Sequence, residues 1–186
     1  MIGHLNNQLA LGQEPNLNTV QTMFEAAELV GNLVKKVILQ VATPPEDLST
    51  YACSLLLGGQ IAEQDMQLYN IYPQGNFICA TKDTPFFQIG ESKYRKPILD
   101  RALSYDMPLD QALRCTLISF DSTLRSNVSV GLPLDCLVYN KDSLHIPLGK
   151  RITEHDPYFT QLSQQWSEML KQGLQQLPIP TSDYLE

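Results

Sequence analysis

The stretch from Gln67 to Ala80 does most to restrict what this chain can fold into. Gln67 to Tyr72 alternates, with Leu68, Asn70 and Tyr72 on one face and Tyr69 and Ile71 on the other. That period of two belongs to a strand. Pro73-Gln74-Gly75-Asn76 is a strong turn signal, so Phe77 to Ala80 should pair back as the second arm of a hairpin. Neither G-x-G-x-x-G after a strand nor G-x-x-x-x-G-K-[ST] is present, so nucleotide binding has no support. G-x-S-x-G is absent as well, which removes the usual serine-hydrolase elbow.

The flanking segments read as helices and further strands. From about Thr19 to Gln40, Val20, Met23/Phe24, Ala27, Val30, Val34 and Val37/Ile38 recur at three- and four-residue steps, the mark of one apolar helix face. Asn18 or Thr19 is placed to cap it, and Thr43-Pro44-Pro45 to end it. Ile2 to Leu11 reads as part of an earlier helix that starts without a start signal. Tyr51 to Leu57, closed by Gly58-Gly59, reads as a strand, and Pro85 to Gly90 as a shorter one. Helices are expected at about Ser92 to Leu103 and from Pro108, the latter burying Leu109, Ala112, Leu113, Thr116, Leu117 and Phe120. Leu134 to Tyr139 should be a strand, Asn140 to Ser143 a turn, and Leu144 to Leu148 its partner. Asp156-Pro157 caps a final helix over about 157–172, whose stripe of Tyr158/Phe159, Leu162, Trp166 and Met169/Leu170 suits core or subunit contact. The tail, 173–186, should be extended. Strands segregated between helical runs point to a layered α+β domain spanning residues 1–186.

Composition closes off several functions. With 13 Lys plus Arg against 20 Asp plus Glu, the net charge is −7, which repels a phosphate backbone. No basic stripe interleaves with aromatics, so nucleic-acid binding is not expected. The longest apolar runs, such as Cys53 to Leu57, fall far short of the ~20 residues that span a bilayer. The first residues lack the basic and apolar regions of a signal peptide. Cys53, Cys79, Cys115 and Cys136 are widely spaced, which fits reduced thiols in a cytoplasmic protein. His4, His145 and His155 are scattered, so no metal or cofactor is expected.

One ordered set of motifs is distinctive. It runs Leu55-Leu56-Leu57-Gly58-Gly59-Gln60, Leu68-Tyr69-Asn70-Ile71-Tyr72-Pro73-Gln74-Gly75-Asn76 and Phe86-Phe87-Gln88-Ile89-Gly90-Glu91-Ser92-Lys93-Tyr94. It continues through Asp106-Met107-Pro108-Leu109-Asp110-Gln111-Ala112, Ser119-Phe120-Asp121-Ser122-Thr123 and Arg125-Ser126-Asn127-Val128-Ser129-Val130-Gly131-Leu132-Pro133. This order resembles the proteasome β and HslV family over about residues 16–172, and its wording resembles the Anbu branch. The resemblance implies an Ntn-hydrolase fold, a four-layer αββα sandwich. It also implies a Thr- or Ser-type peptidase whose nucleophile is the first residue of the mature chain. There the free α-amine, with a pKa of roughly 8, takes the hydroxyl proton. An early Asp and a Lys assist in the family, and dimers assemble into ring-like or open helical arrays.

The sequence begins in what the resemblance makes the first long helix. The initial strands, the nucleophile, the early Asp and the Lys are therefore expected to be missing, and the chain as written is expected to be inactive. By the same resemblance Asp121 matches a supporting acidic residue. Ser129, or Ser126, matches the serine that follows it, and Gly90, Glu91 and Ser92 match the loop beside the nucleophile. Read on residue chemistry alone, Asp121 simply terminates a helix and Ser126 and Ser129 make turn hydrogen bonds. Lys93 and Lys96 read as a solvated helix face. Two functions follow: a peptidase subunit acting on peptide or protein substrates, or a non-catalytic scaffold of the same fold.

Overall fold

The computed structural model describes residues 1–42, 50–90, 93–94 and 96–184. The chain gathers into two compact units, each built from separated stretches. One comprises Met1–Ser92, Ser104–Asp106 and Val138–Leu148; the other comprises Lys93–Leu103, Met107–Leu137 and Gly149–Glu186.

The first unit is organised by helix α2 (Met23–Val41), which follows a short helix α1 (Ile2–Ala10) that buries none of its residues. Helix α2 starts later than its apolar spacing suggests, because Asn16 and Thr19 are engaged in a turn of their own. The Asn16 N–H donates to Thr19 Oγ1 at 2.9 Å and the Asn18 N–H to Asn16 Oδ1 at 2.9 Å. The cap is instead Thr22, whose hydroxyl accepts from the Glu25 N–H at 3.1 Å, while Glu25 Oε2 accepts from the Gln21 N–H at 2.7 Å. This reciprocal pair is a capping box shifted by one residue at its return bond. The buried face of α2 then carries Met23, Ala27, Val30, Val34 and Ile38 onto Tyr69 and Ile71 of the sheet. Ile71 and Val34 are fully buried, each contributing about 1.5–3 kcal/mol. The expected stop at Thr43-Pro44-Pro45 lies outside the described residues.

The sheet of this unit is antiparallel in the order β1–β2–β3, with β1 at Leu55–Gly59, β2 at Gln67–Ile71 and β3 at Phe77–Cys79. Leu57 lies opposite Tyr69, and Tyr69 opposite Cys79, which sets Tyr69 and Ile71 toward α2 as the alternation requires. The β2–β3 turn closes with the Gly75 N–H on Tyr72 O at 2.9 Å and the Tyr72 N–H on Asn76 O at 2.8 Å. Gly75 has φ +89°, open to glycine at little cost. A second glycine meets it: a Cβ on Gly31 would collide with the Gly75 carbonyl oxygen, so the pair lets α2 lie directly on the turn. The strand expected from Pro85 to Gly90 does not form. After β3 the chain reverses through a Thr81–Thr84 turn, and Pro85 brings no N–H to a ladder.

In the second unit the helices are α3 (Lys96–Ala102), α4 (Leu109–Ser126) and α5 (Pro157–Gln176). They accompany a two-stranded antiparallel sheet of β4 (Leu134–Cys136) and β5 (Lys150–Ile152). Leu117, Ile152 and Phe159 form its buried centre. Residues 144–148 were expected to pair with β4 and do not: Leu134 lies opposite Ile152 and Cys136 opposite Lys150. The Asn140–Ser143 turn is present, with the Ser143 N–H on Asn140 O at 3.2 Å, but Leu144 leaves it at φ +50° and donates its N–H to the Tyr139 hydroxyl. A left-handed residue bonded to a side chain cannot open a strand ladder. Ile146 and Leu148 are consequently 92% and 99% exposed.

Helix α5 begins as its sequence demands: Asp156 Oδ1 accepts from the Phe159 N–H at 2.9 Å, and Pro157 takes the first helical position. It runs on to Gln176, which corrects the tail expected as extended from 173. Gly173 costs the helix about 1 kcal/mol, less than a proline would, and the stop comes at Leu177, forced out of helical geometry by Pro178. Ser182–Tyr184 closes the described chain as a 3-10 turn. Among the described residues, no helix is long and apolar enough to cross a membrane.

Candidate functional site

Helix α4 buries polar residues where apolar ones were expected. Leu109 is 47% exposed, whereas Ser119, Asp121 and Thr123 are buried along with Cys115 and Leu117. Hydroxyls tolerate this because they bond back along the helix: Thr123 Oγ1 donates to Ser119 O at 3.1 Å, Ser122 Oγ to Ile118 O at 3.1 Å and Thr116 Oγ1 to Ala112 O at 2.8 Å. Burial also pushes the Cys115 thiol up, since a thiolate would lose its water there.

A carboxylate needs more than that, and Asp121 finds it in a closed triangle. Ser163 of α5 donates its hydroxyl to Asp121 Oδ1 at 2.7 Å, and Arg125, one turn along α4, donates Nε to Asp121 Oδ2 at 3.2 Å. Arg125 Nη2 also donates to the Ser163 hydroxyl at 2.8 Å. The Asp121 side chain is 8% exposed and that of Arg125 57%. Ser163 thus gives its proton to the carboxylate and accepts from the guanidinium, so its hydroxyl is held at both ends. This geometry locks α4 to α5. It is poorly suited to a nucleophile, which needs a free lone pair and a base able to take the proton.

The other residues singled out in the sequence lie apart from this triangle. Ser126 is the exposed last residue of α4. The exposed Ser129 follows in a turn, where its N–H donates to Asn127 Oδ1 at 2.8 Å and the Val130 N–H to Asn127 O at 3.1 Å. Among the described residues no hydrogen bond joins Asp121 to Ser126 or Ser129. Gly90 belongs to the other unit and has φ +76°, with nothing near the position of a Cβ. Glu91 and Ser92 lie outside the described residues. Lys96 is exposed and pairs with Asp100 at 2.7 Å on the face of α3. Among the described residues, no three His, Cys, Asp or Glu side chains gather as a metal site would require.

Ser163 and Arg125 were not foreseen. A signal for Ser163 exists, since it sits four residues after Phe159 and three before Trp166 on an otherwise apolar stripe. A serine in that position calls for a polar partner on the facing helix.

Helix α2 over an antiparallel hairpin sheet, and α4 and α5 with a second small antiparallel sheet, define an α+β protein of the proteasome-subunit-like Ntn-hydrolase fold. Solved structures of this type match over nearly the whole chain. Anbu (ancestral beta-subunit) from Yersinia bercovieri is 50% identical with a TM-score of 0.90, the match covering 97% of this chain and 74% of that one. The structure described as the helical assembly of the Anbu complex from Pseudomonas aeruginosa is 49% identical, with a TM-score of 0.89 and coverage of 98% and 76%. Anbu from Hyphomicrobium sp. strain MC1 is 42% identical, with a TM-score of 0.83 and coverage of 97% and 75%. No protein-family model and no curated protein matches the chain. At this identity and coverage the chain belongs to the Anbu family, as its motifs suggested.

Proposed function

We propose that this protein is a self-assembling, cytoplasmic subunit of an N-terminal-nucleophile peptidase or amidohydrolase acting on peptide or protein substrates. The observation that carries the reading is the 50% identity to an Anbu subunit across 97% of the chain. The relative from Pseudomonas aeruginosa, described as a helical assembly, supports self-association. In this reading the nucleophile, the early Asp and the Lys lie outside these 186 residues. Asp121 serves as a positioning residue: by fixing α4 on α5 it positions the end of α4, where Ser126 lies, and the turn that follows, which bears Ser129. In this reading Gly90 belongs to the loop beside the nucleophile.

The test is the intact mass and first residue of the protein produced from its own locus. A mass above 20.9 kDa with Thr, Ser or Cys at the start is the expected result. A mass of 20.9 kDa would overturn the catalytic reading in favour of a non-catalytic scaffold. Peptide turnover by the 186-residue chain itself would refute the placement of the nucleophile outside it.

A further inference from the structure

The hairpin of β4 and β5 stops short of what its sequence can pair. Its ladder sets Leu134 opposite Ile152, Asp135 opposite Arg151 and Cys136 opposite Lys150, and goes no further. The arms have not yet parted there: a Cβ on Gly149 would stand 3.5 Å from the Cys136 carbonyl oxygen, so the strands still run side by side one residue on. In the same register Leu137 would face Gly149, Val138 would face Leu148, Tyr139 would face Pro147 and Asn140 would face Ile146. Each of these rungs joins two residues of the same compact unit.

The side-chain pattern also continues past the last rung. Residues directly opposite share a face and alternate residues return to it, so Val138, Ile146 and Leu148 would join the face of Leu134 and Ile152. That face is the apolar one, since Leu134 and Ile152 pack with Leu117 and Phe159. In the open arrangement Ile146 and Leu148 are 92% and 99% exposed, an apolar strap left in water. The Ser143 N–H on Asn140 O already reverses the chain within the Lys141–His145 loop that the longer hairpin needs. Pro147 brings no N–H, which an edge strand such as β5 tolerates on its outer side.

What holds the strap open is a side chain within it. The Tyr139 hydroxyl accepts the Leu144 N–H at 3.2 Å and donates to Gln60 Oε1 at 3.4 Å. Gln60 is itself fixed, accepting the Asp142 N–H at 2.8 Å and donating to Gln64 O at 2.8 Å. Leu144 is thereby kept at φ +50°, a strained conformation for a side chain of its kind. We propose that residues 137–149 form a strap poised to close: β4 and β5 zip on to the Asn140–Ile146 rung once the Tyr139 hydroxyl releases the Leu144 N–H. Closing exchanges one side-chain bond and a strained residue for backbone rungs and an apolar pair of Val138 with Leu148. The inference concerns this hairpin and stands apart from the peptidase reading.

Amide hydrogen exchange, followed residue by residue by NMR on the full 186-residue chain, tests it in wild type, Tyr139→Phe and Leu144→Val. Tyr139→Phe removes the hydroxyl and keeps the ring. Leu144→Val keeps the hydroxyl but places a β-branched residue where φ is positive, a conformation such residues avoid. It decides the matter alone should Tyr139→Phe not fold.

The expected result is at least about tenfold slower exchange within 137–140 and 146–149 in both variants, together with faster exchange at Leu144 in Tyr139→Phe. Opposite changes in neighbouring residues separate release of a catch from general loosening. Faster exchange over the whole of 137–149 in Tyr139→Phe would make the hydroxyl a plain stabilising contact and overturn the proposal. Unchanged exchange at 146–149 in both variants would overturn it as well, and so would slowing in Leu144→Val beside a folded but unaffected Tyr139→Phe. Wild-type protection at 146–149 equal to that of Lys150–Ile152 would mean that the hairpin is already closed, with nothing left for the hydroxyl to hold open.

Discussion

Replacing Asp121 by alanine tests whether the triangle with Ser163 and Arg125 holds the second unit together. The bond at stake is the 2.7 Å contact from the Ser163 hydroxyl to a carboxylate that is 8% exposed. Bonds to a charged group contribute about 1.5–3 kcal/mol. The Arg125 contribution is smaller, because its side chain is 57% exposed and water screens the pair to about 0.5 kcal/mol. In Asp121→Ala, Ser163 still accepts from Arg125 Nη2, so one half of its hydrogen bonding survives and the penalty for an orphaned group is limited. The sum is about 2–3.5 kcal/mol, which lowers the folded-to-unfolded ratio by roughly 30- to 370-fold. Urea unfolding at one fixed protein concentration, followed by Trp166 emission, measures it. Ser163→Ala should lose a comparable amount, and the double variant should fall short of the sum by at least about 1 kcal/mol. An Asp121→Ala variant within about 0.5 kcal/mol of wild type, or strict additivity, would refute the clamp.

Other expectations follow from single contacts. Gly31→Ala should destabilise the first unit by about 1–3 kcal/mol, because its Cβ meets the Gly75 carbonyl. Gly173→Ala, in open space on α5, should stabilise by about 0.4–1 kcal/mol; a chemical melt showing equal effects at both sites would contradict the packing. The Lys150 ammonium, 2.9 Å from Asp156, and the Phe159 N–H hold the Asp156 carboxyl below its usual range. A carboxylate depressed in the folded state stabilises above the unfolded value of about 3.9 and loses that contribution as pH falls through the lower folded value. The melting-temperature gap between wild type and Asp156→Asn, which keeps a capping oxygen without the charge, should therefore shrink below about pH 4; a constant gap down to pH 2 would contradict it. Gln60 accepts from the Asp142 N–H at 2.8 Å and donates to Gln64 O at 2.8 Å, so Gln60→Ala should speed amide exchange at Asp142 and leave Tyr69 protected. Unchanged exchange at Asp142 would show that the loop is held by other means.

What could be read in the sequence, and what could not, divides by the range of the force that decides each feature. Helix α2, the β2–β3 hairpin and the Asp156-Pro157 start of α5 are set by neighbours within about four residues, through caps, periodicity and turn chemistry; Met23, Ala27, Val30, Val34 and Ile38 are buried as read, whereas the cap of α2 falls at Thr22 and the α5 stripe buries Phe159 but leaves Tyr158 and Met169 exposed. Leu144 to Leu148 fails for the opposite reason. Its apolar residues suit a strand, but pairing depends on a partner, and β4 takes Lys150–Ile152 while the Tyr139 hydroxyl captures the Leu144 N–H. Local pattern has no means of ranking two partners that follow the same turn. The same limit applies to the candidate site. Motif order draws attention to Asp121, yet the residue that satisfies it lies 42 positions away on another helix. Asp121 does not terminate α4, which runs on to Ser126; the bond from Ser163 makes it instead a buried contact between α4 and α5. Ser126 ends α4 and Ser129 lies in the turn that follows, and among the described residues neither bonds to Asp121, so in the proposed reading Asp121 acts on them through the position of α4.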